Sequence, residues 1–231
     1  MTVSTDSRTG RDTEALKATA LGQALAGAQS THLIGDIADP DWTAAVAGLQ
    51  AVLRLAGLDP AEARLAGTPE RVIRALMAAC DRSGLEAPER LLTKRFEADV
   101  DAHTDGDAGD WAGPLMVGPV QFTSWCEHHL MPFRGSVWLG YVPQRESDGY
   151  VGLSKLARLV AWHARGLGMQ ERLTKNLLLD LRTHLKPASA AVKITAEHTC
   201  MSCRGASAVG ALTTTWRIFG DGAPELLAGM Q

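Results

Sequence analysis

Two short segments carry most of the side chains that could bind a metal or transfer a proton. The first reads Cys126-Glu127-His128-His129, and the second runs from His198 to Cys203 with Cys200 inside it. A thiolate and an imidazole three residues apart can reach one ion, and a thiolate from a distant segment can complete a set of three protein ligands. This set predicts a catalytic zinc site, because the fourth tetrahedral position stays open for water. The remaining histidines and Glu127 would then be acid–base groups.

The alternative for any single cysteine is a role in the hydrophobic core. Cysteine is among the most buried residue types, and a lone Cys with a His nearby arises often by chance. Here, however, three of the 4 cysteines and three of the 7 histidines fall in the two segments. That crowding favours a metal site over core packing.

Composition limits the classes of function. The 231 residues suffice for one large domain or two small ones, and 23 basic against 26 acidic side chains give a net charge of -3. This balance offers no electrostatic footprint for nucleic acid, so an anionic ligand must meet a local basic cluster. No signal peptide or membrane span is visible, and the few cysteines suit a reducing compartment. We therefore expect a cytoplasmic protein with no nucleic-acid or membrane partner.

The chain begins with a polar segment in which no period is sustained. Residues 1–40 are rich in Ser, Thr, Asp, Gly and Ala, and we expect a flexible tail with a short helix around residues 14–26. Apolar residues then recur at helical spacing from Trp42 to Leu55 and stop at Gly57, which predicts a helix of about 15 residues.

A second helix entry follows in the region 41–98, which we expect to be an N-terminal helical region. Thr68 is predicted as the cap, with Pro69 at the first helical position, and the helix is expected to run to about Arg82. Another short helix is predicted after Pro88.

Residues 99–231 are expected to form the catalytic domain. Its predicted elements are a polar loop at 99–113, strands at 114–125 and 135–142, a turn at 144–149, helices at 153–167 and 170–185, and strands at 190–196 and 212–219. Ser154 is predicted to cap the first of these helices. The order predicts an α+β fold in which two adjacent helices cover one face of an antiparallel sheet, preceded by the N-terminal helices. Both metal-binding segments then lie at strand ends.

Four blocks of this sequence resemble the GTP cyclohydrolase I family. They read FTSWCEHHLMPFRGSVWLGYVP, VGLSKLARLV, QERLTKN and AEHTCMSCRG, and they stand in the order and spacing of the family, with GTPERV upstream. The resemblance covers roughly residues 42 to 220. It implies the tunnelling fold (T-fold), and a zinc-dependent enzyme that hydrolyses GTP to formate and 7,8-dihydroneopterin triphosphate at the start of folate and pterin biosynthesis. It also implies a homodecamer of two stacked pentamers with active sites between neighbouring subunits.

The resemblance implies specific roles for the residues of the two segments. Cys126, His129 and Cys200 match the zinc ligands of the family, and His128 and His198 match its catalytic histidines. Zinc chemistry suits the reaction, because guanine C8 is a weak electrophile and needs a hydroxide at neutral pH. Imidazoles that titrate near neutrality can protonate the departing nitrogen.

Substrate contacts are also implied by the resemblance. Glu171 matches the carboxylate that holds the guanine N1 and 2-amino edge, with Gln170 beside it, and without the family we would interpret Glu171 as a solvated helix residue. The positions that match ribose and triphosphate contacts are Ser154, Lys155, Arg158, Arg204, Arg71 and Arg74. The family usually carries Lys at the position of Arg74.

Cys203 departs from the family pattern and leaves alternatives open. It forms a C-x-x-C pair with Cys200. If Cys203 also bound the metal, the closed Cys3His site would be structural; a redox-active pair is a further alternative, although no βαβ pattern surrounds it.

Two other functions of the whole protein remain. One is the same first reaction in a 7-deazapurine or specialised pterin pathway, and the other is a zinc-binding homologue without turnover, against which the two non-ligand histidines argue.

Overall fold

The computed structural model describes residues 39–96, 113–145 and 148–231. The predicted helix at 14–26 and nearly all of the predicted loop at 99–113 lie outside these residues. The helices are α1 (Pro40–Leu55), α2 (Thr68–Cys80), α3 (Pro88–Leu91), α4 (Leu153–Ala164), α5 (Gln170–Asp180), α6 (Thr199–Ser202) and α7 (Ala223–Ala228), with a 3-10 turn at Ala63–Leu65 and a π-helical turn at Leu181–Leu185. The strands are β1 (Arg95–Phe96), β2 (Leu115–Cys126), β3 (Met131–Val142), β4 (Tyr150–Val151), β5 (Leu167–Gly168), β6 (Ser189–His198) and β7 (Leu212–Phe219). Among the described helices, none combines the length and apolar character that crossing a bilayer requires.

A mixed sheet of five strands organises the chain. Its order is β5-β2-β3-β6-β7, and the four long strands are antiparallel to their neighbours, whereas the short β5 runs parallel to β2. The register of β2 against β3 shifts between Val117 and Val120, where Gly118 and Pro119 interrupt the ladder. β1 and β4 form a separate two-stranded sheet. The predicted α+β class and its four long strands are confirmed.

The main core lies between the sheet and the helices α4 and α5. Alternate residues of β6 point into it, namely Ala190, Val192, Ile194 and Ala196, and all four are fully buried. The helices contribute Leu156, Leu159, Val160, Leu173, Leu177 and Leu178. A smaller cluster on the other face joins Ala191 of β6 to Leu226 and Met230 at α7. The sequence had not predicted α7, so a helix covers part of the second face as well.

The N-terminal helices α1 and α2 pack against each other. The guanidinium of Arg74 lies 4.7 Å from the ring centre of the buried Trp42, a cation–π contact that joins the two helices. The short helix α3 belongs to the main core, in which Leu91 and the following Leu92 are almost completely buried. The end of α2 is fixed to the end of α4 by the N–H of Gly166, which donates to the carbonyl of Ala79 at 2.7 Å.

Two predicted helix caps are wrong. Gly67 rather than Thr68 precedes α2, because its φ of 70° turns the chain in a way that disfavours residues with a side chain, and the Thr68 hydroxyl accepts from Arg71 instead. Gly152 rather than Ser154 precedes α4, and no side chain caps that helix. α4 also ends before the predicted Leu167, which lies in β5.

Candidate metal centre

The strand order brings the two chemical segments to the same edge of the sheet. Cys126 is the last residue of β2 and pairs with Met131 at the start of β3. His198 is the last residue of β6 and pairs with Phe133, two residues further along β3. The turn after β2 and the short helix α6 after β6, which carries Cys200, are therefore neighbours across the beginning of β3.

Three of the side chains form a compact donor set. The ligand atoms of Cys126, His129 and Cys200 all lie within 4.8 Å of one another, and within the described part of the chain this is the one Cys, His, Asp and Glu group with such geometry. The Cys126 Sγ lies 3.4 Å from the His129 Nδ1. Two ligands at about 2.3 Å and 2.0 Å from a tetrahedral zinc would be separated by roughly 3.5 Å, so the donors fit that ion. Cys203 is exposed and lies outside this group.

The thiol of Cys200 differs from an ordinary thiol. Burial raises its pKa, and the neighbouring Cys126 raises it further through its charge and a hydrogen bond, while the charge of Arg204 acts in the opposite direction. A raised pKa favours the protonated thiol. A cation between the two sulfurs would favour the thiolate instead, because cysteine binds metals as a thiolate. The arrangement is thus costly for two free thiolates and suited to a bound cation.

His128 lies beside this donor set but outside it. Its Nδ1 is 3.9 Å from the Cys126 Sγ, and its Nε2 is 3.9 Å from a carboxylate oxygen of Glu127. The side chain of His128 is 57% exposed, so its imidazole is open to solvent. Its imidazole is therefore accessible at the edge of the donor set.

His198 is held more firmly than His128. Its ring stacks on Phe133 with centroids 4.6 Å apart and planes 4° apart, and its Nε2 lies 2.8 Å from the Oε1 of Gln170. Burial lowers the pKa of His198, and the negative charge of Glu171 counteracts part of this effect. The neutral imidazole is therefore favoured near neutral pH.

Gln170 and Glu171, adjacent at the start of α5, have different surroundings. Gln170 is 1% exposed, and its amide is occupied by His198 and by acceptors on β6 and β7. Glu171 is exposed and lines a cavity of about 240 Å³ between α5 and β7, together with Thr174, Thr214, Thr215, Trp216 and Arg217. Of the two predicted guanine contacts, only Glu171 has a side chain that opens onto a cavity.

Glu127 has a partner that the sequence did not indicate. Arg172 donates from Nη1 to its Oε2 at 2.7 Å and from Nη2 to its Oε1 at 3.1 Å. Both oxygens of the carboxylate are thereby engaged by the guanidinium. The expectation that Glu127 is an acid–base group is therefore not supported by its contacts. Nothing in the sequence distinguished Arg172 from a solvated arginine.

The predicted phosphate-binding residues are spread over several places. Lys155, at the beginning of α4, forms an ion pair with Glu86 at 3.0 Å, and Ser154 and Arg158 on the same helix are exposed. Arg204 follows α6 and is exposed near Cys200.

The other two predicted phosphate contacts, Arg71 and Arg74, belong to the N-terminal helices. Arg71 donates to the carbonyl of Ala66 and to Thr68, while Arg74 lies over Trp42. Among the described residues, the contacts of both arginines thus stay within α1, α2 and the segment that joins them. In the described part of one chain, the contacts of the predicted basic residues therefore do not join them into a single cluster.

Comparison with known proteins gives a consistent result. The family model described as GTP cyclohydrolase I matches residues 45–225. The protein "GTP cyclohydrolase 1" of Rickettsia typhi (strain ATCC VR-144 / Wilmington) is 36% identical over 157 residues, which cover 68% of this chain and 76% of the relative. The protein of the same name from Rickettsia bellii (strain OSU 85-389) is 37% identical over 157 residues, covering 68% and 75%.

One solved structure is also similar in part. It is the "archaeosine synthase QueF-Like in the apo form", which has 15% sequence identity and a TM-score of 0.35 and covers 47% of this chain and 93% of that chain.

Proposed function

Because this chain belongs to the GTP cyclohydrolase I family and is an enzyme of that type with GTP as its substrate, we propose that it binds a catalytic zinc ion and releases formate from GTP. The product is 7,8-dihydroneopterin triphosphate, which supplies folate and pterin biosynthesis in the cytoplasm. The observation that carries the proposal is the donor set of Cys126, His129 and Cys200 beside two histidines that are not part of it.

Cys126, His129 and Cys200 are the proposed metal ligands. Three protein ligands of this kind are typical of catalytic rather than structural zinc sites. When bound, zinc lowers the pKa of a water and supplies hydroxide near neutral pH for attack on guanine C8. The proximity of both thiols to an imidazole supports this assignment.

His128 and His198 are the proposed proton-handling residues. His128 is largely exposed beside the donor set and can accept a proton from the attacking water. His198, fixed by stacking, rests as a neutral imidazole; it can take up a proton on the ring nitrogen that carries the lone pair and then pass that proton to the nitrogen that leaves C8. Two successive hydrolytic steps at one carbon need proton transfer at more than one position.

Glu171 is the proposed guanine-binding carboxylate. It can accept from the N1–H and the 2-amino group together, and this pairing rejects adenine because a desolvated carboxylate would then lack partners. Its position on a cavity, near enough for its charge to act on His198, supports this role. Gln170, predicted beside it, can take part through its main-chain N–H, since the first N–H groups of a helix have no intrahelical acceptor.

The triphosphate is proposed to bind a basic cluster that two subunits complete. Ser154, Lys155 and Arg158 lie on the first turns of α4, where the helix N-terminus also favours an anion. The remaining contacts proposed from the resemblance are Arg204, Arg71 and Arg74. Since the contacts of Arg71 and Arg74 with the described residues of their own chain are local, a neighbouring subunit is their proposed route to the phosphates.

We propose a T-fold assembly of two stacked pentamers for the catalytic region 99–231, with the helical region 41–98 attached to it. Within the described residues, β7 pairs only with β6 and leaves its other edge open. Leu212, Trp216 and Ile218 on this strand are between 45% and 65% exposed. An open edge with exposed apolar side chains is suited to pairing with another subunit. Native mass spectrometry would test the decamer.

The experiment that tests the function is an assay of the zinc-loaded protein with GTP. We expect about one zinc per subunit, release of formate and a fluorescent pterin after oxidation of the product. His128→Ala and His198→Ala should keep the zinc and lose roughly 10²- to 10⁴-fold in turnover. The control His184→Ala, on the π-helical turn, should keep both the zinc and the turnover. Zinc-loaded protein that releases no formate from GTP would refute the enzymatic proposal.

A further inference from the structure

Gln170 is the most completely bonded polar side chain at the site. Its Nε2 donates to the carbonyls of Ile194 at 3.2 Å and Thr213 at 3.0 Å, and lies 3.1 Å from the hydroxyl of Thr215. Its Oε1 lies 2.8 Å from the Nε2 of His198. The residue is 1% exposed, so these groups rather than water satisfy its amide.

The two carbonyls determine which way the amide points. A backbone carbonyl can only accept a hydrogen bond, so the NH₂ end of Gln170 must face Ile194 and Thr213. A flipped amide would place its oxygen against both carbonyl oxygens with no hydrogen between them, which is unfavourable. The oxygen end is consequently directed at His198.

The oxygen in turn determines the tautomer of His198. An amide oxygen only accepts, so the Nε2 of His198 must carry hydrogen, and in the neutral ring the lone pair then lies on Nδ1. Stacking on Phe133 fixes the plane of the ring, and the Gln170 bond fixes its rotation within that plane. Both constraints come from buried side chains on neighbouring elements.

We propose that Gln170 is a positioning residue that holds His198 in its Nε2–H tautomer and orientation, rather than a side-chain contact to the substrate. The proposal rests on the proposed function for its kinetic consequences. It also explains why a buried glutamine stands at the first position of α5, directly before the exposed Glu171. The two neighbouring residues thus have different roles: Gln170 orients the imidazole of His198, and Glu171 contacts the purine.

Kinetics of Gln170→Met distinguish the two roles. Methionine keeps the approximate length and removes the acceptor, so kcat of the zinc-loaded enzyme should fall about 10- to 100-fold, as for other residues that orient a functional imidazole, with KM for GTP within about twofold. A raised KM with unchanged kcat would identify a substrate contact and overturn the proposal. Unchanged kcat and KM per zinc-loaded subunit would reduce Gln170 to a fold-stabilising residue and also overturn it.

Thr195→Val is the matched control. Thr195 is the next residue of β6 after Ile194 and its hydroxyl lies 3.2 Å from that of Thr214, so the variant removes a hydrogen bond between the same two strands on the opposite face. Its kcat and KM should match those of the wild type. An equal loss of kcat in this variant would show that general loosening of the strands is responsible.

A spectroscopic measurement tests the geometry without turnover. Magic-angle-spinning ¹⁵N NMR of histidine-labelled, zinc-loaded wild-type protein at about pH 8, above the ordinary imidazole pKa of about 6.5, should show His198 as the Nε2–H tautomer, assigned by comparison with His198→Phe. Gln170→Met should show a mixture. An Nδ1–H signal in the wild type would overturn the proposal whether or not formate is released, whereas failure of the formate assay alone would leave this assignment intact.

Discussion

Arg172 and Glu127 join the first turn of α5 to the turn that follows β2 through two parallel hydrogen bonds. The turn carries His128 and His129, so this ion pair restrains both imidazoles at once. An additional bond from the N–H of Glu127 to the carbonyl of Gly168 fixes the same turn to β5. Glu127 thus fixes the turn through both its side chain and its main chain.

A double-mutant cycle should show that the pair acts as a unit. Arg172→Ala and Glu127→Gln should each lower kcat/KM by about tenfold, with little change in unfolding free energy because an ion pair with a half-exposed partner contributes only about 0.2–1 kcal/mol. The double variant should be no worse than either single variant, and Arg172→Lys should recover only part of the loss. Strictly additive losses in kcat/KM would contradict this view.

Cys203 should be dispensable. Cys203→Ser should keep about one zinc per subunit and full activity, whereas Cys200→Ser should lose both, because only Cys200 lies within the donor set. Metal analysis of the two purified variants checks this directly, and the two substitutions lie only three positions apart. A fall in zinc content for Cys203→Ser would restore the closed-site alternative.

Glu86 should compete with the triphosphate for Lys155. Their ion pair must be broken or shared when phosphate oxygens bind, so Glu86→Gln should lower KM for GTP by about 1.5- to 5-fold, the range expected for an exposed pair. The gain should shrink at high salt because screening weakens both interactions. Glu89→Gln, on the exposed part of α3, provides the control for removing one negative charge. Equal effects of the two variants would exclude a specific role for Glu86.

Zinc affinity should rise with pH. The pKa of the Cys200 thiol is raised, first by burial and then by Cys126, so in the metal-free site it holds its proton to higher pH than an ordinary thiol. Binding must release that proton, and the apparent dissociation constant should therefore fall by up to about tenfold per pH unit while the pH is below this pKa. Competition with a chelator of known pH dependence measures it. An affinity that is constant between pH 6 and pH 8 would contradict the expectation.

Residue type and spacing predicted the strands and the donor set better than the connections around them. Cys126 and His129 lie at the end of β2 and in the turn after it, and the apolar alternation of β6 places Cys200 just beyond a strand end, so their convergence follows from local pattern and sheet order. The caps at Thr68 and Ser154 failed because glycines just upstream, Gly67 and Gly152, begin the helices instead.

The surroundings of the predicted site residues could not be derived in the same way. The role of Gln170 depends on carbonyls of Ile194 and Thr213, which lie 24 and 43 positions away, and the restraint on Glu127 depends on Arg172, 45 positions away. A solvated glutamine or arginine at a helix start has the same sequence signature. Only the tertiary structure distinguishes a group that contacts a ligand from one that orients its neighbour.

The strand β3 separates the two strands that bring in the donors, and this has a consequence for folding. A hairpin of β2 and β3 alone would present Cys126 and His129, but the second sulfur arrives only when β6 has paired with β3. High-affinity metal uptake is therefore a late event in folding, reached after a long-range pairing has closed. The absorption spectrum of cobalt(II) depends on its coordination, so its change with time during refolding would report when β6 pairs with β3.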